Sequence, residues 1–300
     1  MASQRRIALL SIAVLLTIFG GGAFVAGRLL LGEGIPLLTG GRVAVLPVVG
    51  IIENDRAFLR AMTRYRDSDA VKAFVLEIRS PGGGVGASQS IFQELVKLRE
   101  EDERPIIAWI GDIGASGGYY VSLAADSIFA LPGSITGSIG VIMQFPQAQE
   151  LLRKVGLGWE VVKSGEYKDI GSPTRPLSEE DRRILQGVVD DVYNQFITAV
   201  AENRKLERDS VVELADGRIY SGERAVELGL VDRLATLPEA IGVAGRMAGL
   251  GERPTTVRPV ERRVGLFDVI AGLSESRLLG WLRALAPQPA GTPRLLYQWR

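Results

Sequence analysis

From Arg42 onward the chain alternates short apolar runs with stretches of helical spacing. Val43–Val49, Ala73–Ile78, Ile106–Ile110, Ser127–Leu131 and Glu160–Val162 are rich in Val and Ile and read as short, largely buried strands. Between them, Arg56–Tyr65, Ala87–Leu98, Ser116–Ala124 and Gln147–Val155 read as helices. This alternation predicts an α/β domain in which helices cover a mostly parallel sheet. A longer helix follows Ser178, which forms a capping-box-like start with Asp181. Its apolar stripe is Ile184, Leu185, Val188, Val189, Val192, Phe196, Ile197 and Val200, a face for the core or for another subunit. Ser221–Leu228 and Leu237–Ala248 continue the helical pattern.

The two ends differ from this middle. Arg5 and Arg6 precede an uncharged run of 21 residues, Ile7–Gly27. As a helix that run spans roughly 30 Å, the thickness of a hydrocarbon core. The arginines lie before it, so the N-terminus is expected in the cytoplasm and the remainder outside, as in a single-pass protein of a bacterial-type inner or plasma membrane. A cleaved signal peptide is the rival reading, since Gly21-Gly22-Ala23 and Val25-Ala26-Gly27 are small enough for a cleavage site. Past Glu252, two prolines and four arginines give the texture of a linker. Leu266–Leu285 is then amphipathic, suited to core or subunit packing or to lying on a bilayer. The chain therefore divides into residues 1–41 (start, anchor and spacer), 42–250 (the α/β domain) and 251–300 (linker and amphipathic extension).

Composition removes whole classes of chemistry. The 35 basic and 35 acidic residues cancel, so the chain lacks the basic excess of a nucleic-acid binder, and no nucleic-acid partner is expected. With no His and no Cys, Ser-His-Asp triads, HExxH zinc sites, thiol nucleophiles and disulfides are excluded. A hydrolase built on this chain must use Ser, Thr, Asp, Glu, Tyr or Lys.

Two glycine-rich turns follow strands: Ser80-Pro81-Gly82-Gly83-Gly84 and Gly114-Ala115-Ser116-Gly117-Gly118. Such turns can aim free backbone N–H groups at one point beside a helix N-terminus, which is how an oxyanion hole is made from main chain. They match neither a dinucleotide fingerprint nor a Walker A loop, so no cofactor and no metal is expected. Ser116, among small residues at a helix start, has the setting of a nucleophile and equally that of a helix cap. As a nucleophile it needs a base, and without His the common choice is Lys. There are six lysines; Lys168 enters the Gly171-Ser172-Pro173 stretch and serves either as a solvated surface residue or as that base. A lysine at pKa about 10.4 must fall to about 7.5, a cost of roughly 4 kcal/mol that an apolar site can impose. Ser138, in Thr136-Gly137-Ser138-Ile139-Gly140, is a hydroxyl suited to orienting the neutral amine.

These segments, with Tyr119-Tyr120 after the second turn and Lys163-Ser164-Gly165-Glu166-Tyr167-Lys168-Asp169-Ile170 before the Gly-Ser-Pro stretch, resemble the signal peptide peptidase A family of membrane-bound Ser-Lys proteases. Ala215–Gly222 and Glu227–Asp232 look like that family's closing segment, so the resemblance runs from about Arg42 to Ala235. It implies a crotonase/Clp-protease-like α/β fold assembled into ring- or dome-like homo-oligomers. It also implies Ser116 as nucleophile, Lys168 as general base 52 residues downstream, Ser138 holding the amine, and the N–H groups of Gly83 and Gly117 receiving the oxyanion. Its substrates are remnant signal peptides and similar apolar peptides at the membrane. Arg79 departs from the Asn expected before Ser-Pro. Two other readings of the fold are a non-catalytic membrane scaffold and an acyl-CoA enzyme using only the oxyanion hole.

Overall fold

The structure, a computed structural model, describes residues 40–259 and the strand 296–298. The run 7–27 and the amphipathic stretch 266–285 lie outside the described residues. Among those described, no helix is long and apolar enough to cross a membrane.

The three longest strands, β1 (Arg42–Val49), β2 (Val71–Ser80) and β4 (Ile106–Ala115), run parallel side by side, with β2 in the middle. Strands buried on both faces need near-continuous apolar sequence, and these have it. The period of two then sorts them: Ala44, Leu46, Phe74, Leu76, Ile78, Ile106 and Ala108 enter one core, while Val43, Val45, Ala73, Val75, Ile107 and Trp109 enter the other. The first core is covered by α1 (Arg56–Arg66), α2 (Val85–Glu101), α3 (Gly117–Ser122) and α5 (Glu179–Arg204). The second is closed by α8 (Leu237–Met247), which presents the small residues Ala240 and Ala244.

β4 divides the sheet. Its first half pairs with β5 (Ser127–Ala130), and its last three residues pair with β6 (Ile135–Gly137). Ser134, buried at the branch, donates from Oγ to the carbonyls of Ile110 and Gly111, satisfying the strand where its partner changes. β7 (Ile219–Ser221) adds antiparallel to β6, β8 (Arg233–Leu234) adds to β5, and β9 (Thr255–Val257) adds to β1. The short strand β3 (Gly82–Gly84) stands apart and pairs antiparallel with β10 (Leu296–Gln298). The remaining helices are α4 (Gln149–Lys154), α6 (Arg208–Leu214) and α7 (Gly222–Glu227).

The expected capping box at Ser178 forms: its hydroxyl accepts from the Asp181 N–H at 3.1 Å, and Asp181 accepts from the Ser178 N–H at 3.0 Å. The stripe of α5 is buried only at its C-terminal end, through Val192, Phe196, Ile197 and Val200; Ile184 and Val188 are exposed. One expected strand is absent. Residues 160–162 carry no regular structure, and Val161 and Val162 are exposed. Their apolar side chains signal burial, yet no described element of this chain packs over them.

Candidate active site

Ser116 follows the last residue of β4 and precedes α3. Its backbone holds φ 52° and ψ −118°, a region costly for a side chain and sustained only where surroundings dictate it. Several contacts do so. The Ser116 N–H donates to the Gly137 carbonyl at 2.8 Å, and its own carbonyl accepts from Tyr120 at 2.8 Å. Tyr120 packs edge-on against Phe92 of α2 and Phe196 of α5, with ring centroids 4.9 and 5.0 Å away. The neighbouring Tyr119 is wholly buried and donates its hydroxyl to the Leu230 carbonyl at 2.9 Å; burial pushes its pKa up, so it stays protonated. The helix-cap role does not hold: the Ser116 side chain makes no capping bond, and its Oγ has no hydrogen-bond partner among the described residues. The residue is 1% exposed. A strained, packed serine at a strand-to-helix turn is the geometry of a nucleophile elbow.

Ser138 stands beside it. β4 and β6 are in parallel register through Ala115 and Gly137, so the next residues on the two strand ends are Ser116 and Ser138. Ser138 also has positive φ, 50°, and its N–H donates to the Arg218 carbonyl at 2.8 Å. Two buried serines with left-handed backbone thus end adjacent strands.

The first glycine-rich turn meets the second from the other side. Ser80 pairs in register with Gly114, and a Cβ on Gly118 would lie 2.6 Å from the Ser80 carbonyl oxygen. Ser80 shapes its own turn by donating from Oγ to Gly50 O at 2.6 Å and accepting from the Gly82 N–H at 3.1 Å. β3 then runs against Ile52, whose N–H donates to Gly82 O and whose carbonyl accepts from the Gly84 N–H. Because strand groups alternate, the N–H and C=O of Gly83 point to the opposite edge. A Cβ on Gly83 would fall 2.3 Å from Ile52 O, so only glycine fits. Gly117 is the first residue of α3, and its N–H has no acceptor within the helix. The Gly117 N–H therefore lies outside the bonding of its helix, whereas the Gly83 N–H faces the edge where Tyr297 pairs opposite it.

Arg79 has a local explanation. It sits on the other face of β2, stacks over Trp109 at 5.2 Å, and pairs with Glu77 at 3.1 Å and Asp112 at 2.8 Å. It reinforces the second core rather than the serine turns.

Lys168 lies on an exposed 3₁₀ turn, Glu166–Asp169, and its amine makes no hydrogen bond or ion pair among the described residues, whether with Ser116 and Ser138 or otherwise. The turn itself is clamped. Asp169 takes Lys163 at 2.7 Å and both Arg175 Nε and Nη2 at 3.0 and 2.9 Å, while Arg175 also reaches the buried Asp181 at the cap of α5. Arg175 and Lys163 hold the Asp169 carboxyl far below the usual range, and Arg175 with the Ser178 N–H lowers Asp181 to about 2. Beside the turn, Leu157, Trp159, Val161 and Val162 form an exposed apolar run, Trp159 at 70% and Val162 at 98%. The clamp links residues six apart, a spacing no regular element makes, and the backing of Gly83 by Ile52 joins residues distant in sequence; only the Ser178–Asp181 spacing hinted at either.

Comparison with known proteins identifies the family. The model of peptidase family S49 matches residues 99–251, which include the Ser116 elbow and the Lys168 turn. A chain named as a protease in Synechocystis sp. is 43% identical over 211 residues, covering 70% of this chain and 75% of the relative. One named as a protease in Methanocaldococcus jannaschii is 33% identical over 278 residues, 88% and 89% of the two chains. One named as a signal peptide peptidase in Enterococcus faecium is 41% identical over 188 residues, 63% of this chain and 54% of the relative. The chain belongs to peptidase family S49, the signal peptide peptidase A family, and is a protease.

Proposed function

We propose that the protein is a membrane-anchored serine endopeptidase for remnant signal peptides and similar apolar peptides, with Ser116 as nucleophile and Lys168 as general base. The observation that carries this is the conformation of Ser116: a strained, buried elbow at a strand-to-helix turn whose side chain makes no capping bond. Neutral Lys168 takes the Ser116 proton as Oγ attacks the scissile carbonyl. The N–H groups of Gly83 and Gly117 receive the oxyanion. The resulting ammonium returns its proton to the departing amine, leaving an acyl-serine. Lys168 then deprotonates water, which hydrolyses the ester and frees Ser116. Ser138 positions the amine.

In this reading Lys168 serves Ser116 of a neighbouring copy. Among the described residues of one chain the lysine is exposed and unpartnered, and the apolar run beside it is uncovered. A second copy docked there would cover Trp159 and Val162 and bring the amine into the dry surroundings that lower a lysine pKa. The anchor, residues 7–27, would keep the site at the membrane surface outside the cytoplasm.

The test is hydrolysis of a signal-peptide substrate by the full chain. Ser116→Ala and Lys168→Ala should each lower kcat by about 10³-fold or more, and an acyl-enzyme should accumulate only where Ser116 is intact. Full activity in Ser116→Ala contradicts the proposal.

A further inference from the structure

Ser80 is where the two glycine-rich turns touch. It is fully buried, and its hydroxyl bonds main chain on two sides, donating to the Gly50 carbonyl at 2.6 Å and accepting from the Gly82 N–H at 3.1 Å. Pro81 follows without an N–H, and Gly82 then turns the chain at φ 100°, a conformation open to glycine. The peptide between Pro81 and Gly82 is therefore held by a side chain. The next peptide is held from the other side, where the Ile52 N–H donates to the Gly82 carbonyl at 2.9 Å. A trans peptide sends its C=O and N–H in opposite directions, so that bond aims the Gly83 N–H away from Ile52. Ile52 lies two residues beyond Gly50, the residue that the Ser80 hydroxyl grips. On its carbonyl side Ser80 abuts α3: a Cβ on Gly118 would lie 2.6 Å from the Ser80 oxygen. One residue thus contacts the segments that carry both proposed oxyanion donors, Gly83 and Gly117.

We infer that Ser80 is a positioning residue for the oxyanion hole: it touches no reacting atom, and its hydroxyl sets where the Gly83 N–H points. The inference rests on the serine-peptidase reading given above. A donor stabilises the oxyanion only from hydrogen-bond distance of the developing charge. A small rotation of the peptide between Gly82 and Gly83 therefore weakens the transition state and leaves peptide binding nearly unchanged. Without the hydroxyl, the Gly82 N–H and the Gly50 carbonyl lose a partner, and three consecutive glycines regain their conformational freedom.

The test measures kcat and KM of the full chain on an apolar fluorogenic peptide, with a peptide boronic acid as a second probe. The tetrahedral adduct of that probe on Ser116 puts an oxygen where the oxyanion forms. Ser80→Ala should lower kcat by about 10- to 100-fold with KM within about twofold, and should weaken boronate inhibition by a similar factor. Thr236→Ala supplies the comparison: it removes a capping hydroxyl from α8 and should lower the denaturant midpoint with kcat within about twofold. Ser80→Cys keeps the side-chain volume with a weaker donor and should have a kcat between those of the unaltered chain and Ser80→Ala. It carries the test where Ser80→Ala does not fold. Unchanged kcat and boronate affinity in a folded Ser80 variant overturn the inference alone. So does a loss of kcat that Thr236→Ala reproduces at an equal fall in midpoint. Undiminished hydrolysis by Ser116→Ala, or none by the unaltered chain, overturns the peptidase reading and this inference with it.

Discussion

The two halves of the proposed dyad are built by opposite means. Ser116 is fixed by packing: its strained backbone is bracketed by β6, by the aromatic contacts of Tyr120 with Phe92 and Phe196, and by the close approach of Gly118 to Ser80. Lys168 is fixed by charge: its turn is exposed, yet Asp169, Arg175 and Asp181 bind it to the cap of the longest helix. On the proposed reading the nucleophile is preorganised inside one chain, whereas the base is held out on a braced arm that a second copy must cover.

The sharpest way to break the serine side is through its aromatic support. Phe196→Ala should destabilise the domain by about 3–5 kcal/mol, because Phe196 is fully buried and Tyr120 would lose one of its edge contacts. A denaturant midpoint measures this, and loss of activity should follow the loss of fold. On the lysine side, Arg175→Ala should cost about 1–3 kcal/mol, since it leaves the buried Asp181 carboxylate without its guanidinium partner. In the folded protein it should also lower kcat by about tenfold or more, because a displaced base loses near-attack geometry. An unchanged kcat in the folded variant would show that the network is merely structural.

The same contrast predicts a pH signature. Asp169 and Asp181 have carboxyl pKa values lowered in the folded state, Asp181 to about 2. Their contribution is therefore fully present above the ordinary carboxylate range and is lost as pH falls through the folded values. Amide exchange in residues 165–172 should stay slow from neutral pH to about pH 4 and accelerate toward about pH 2, ahead of the amides around Ser116. Equal acceleration in both regions would erase the distinction. The smallest effect expected is at Ser88 of α2, whose buried hydroxyl has no partner among the described residues. Ser88→Ala should be neutral or stabilising by up to about 1 kcal/mol in a thermal melt, since it removes an unsatisfied polar group.

Much of the scaffold was legible because burial and periodicity coincide in it. β1, β2 and β4 are apolar on both faces, and the Ser178–Asp181 box marks the start of α5 where expected. β3, β6 and β7 have three residues each, too few for any period to show, and β3 is all glycine. The run at 160–162 has the apolar character of a buried strand, yet Val161 and Val162 are exposed. Ser116 and Ser138 stand in small-residue turns visible in the sequence, and the structure brings the two strand ends that carry them side by side. The bracing of Lys168 was not readable, since Asp169 and Arg175 look like ordinary charged residues until the chain folds back. Nor does any local pattern reveal that residues 296–298 lie against Gly82–Gly84.

The central claim is that each serine is served by a lysine from another copy. Mixing inactive Ser116→Ala with inactive Lys168→Ala under conditions that exchange subunits tests it directly. Random mixing at equal amounts should restore activity at roughly a quarter of the sites, where an intact serine meets an intact lysine. A mixture that exchanges subunits and stays inactive contradicts the account.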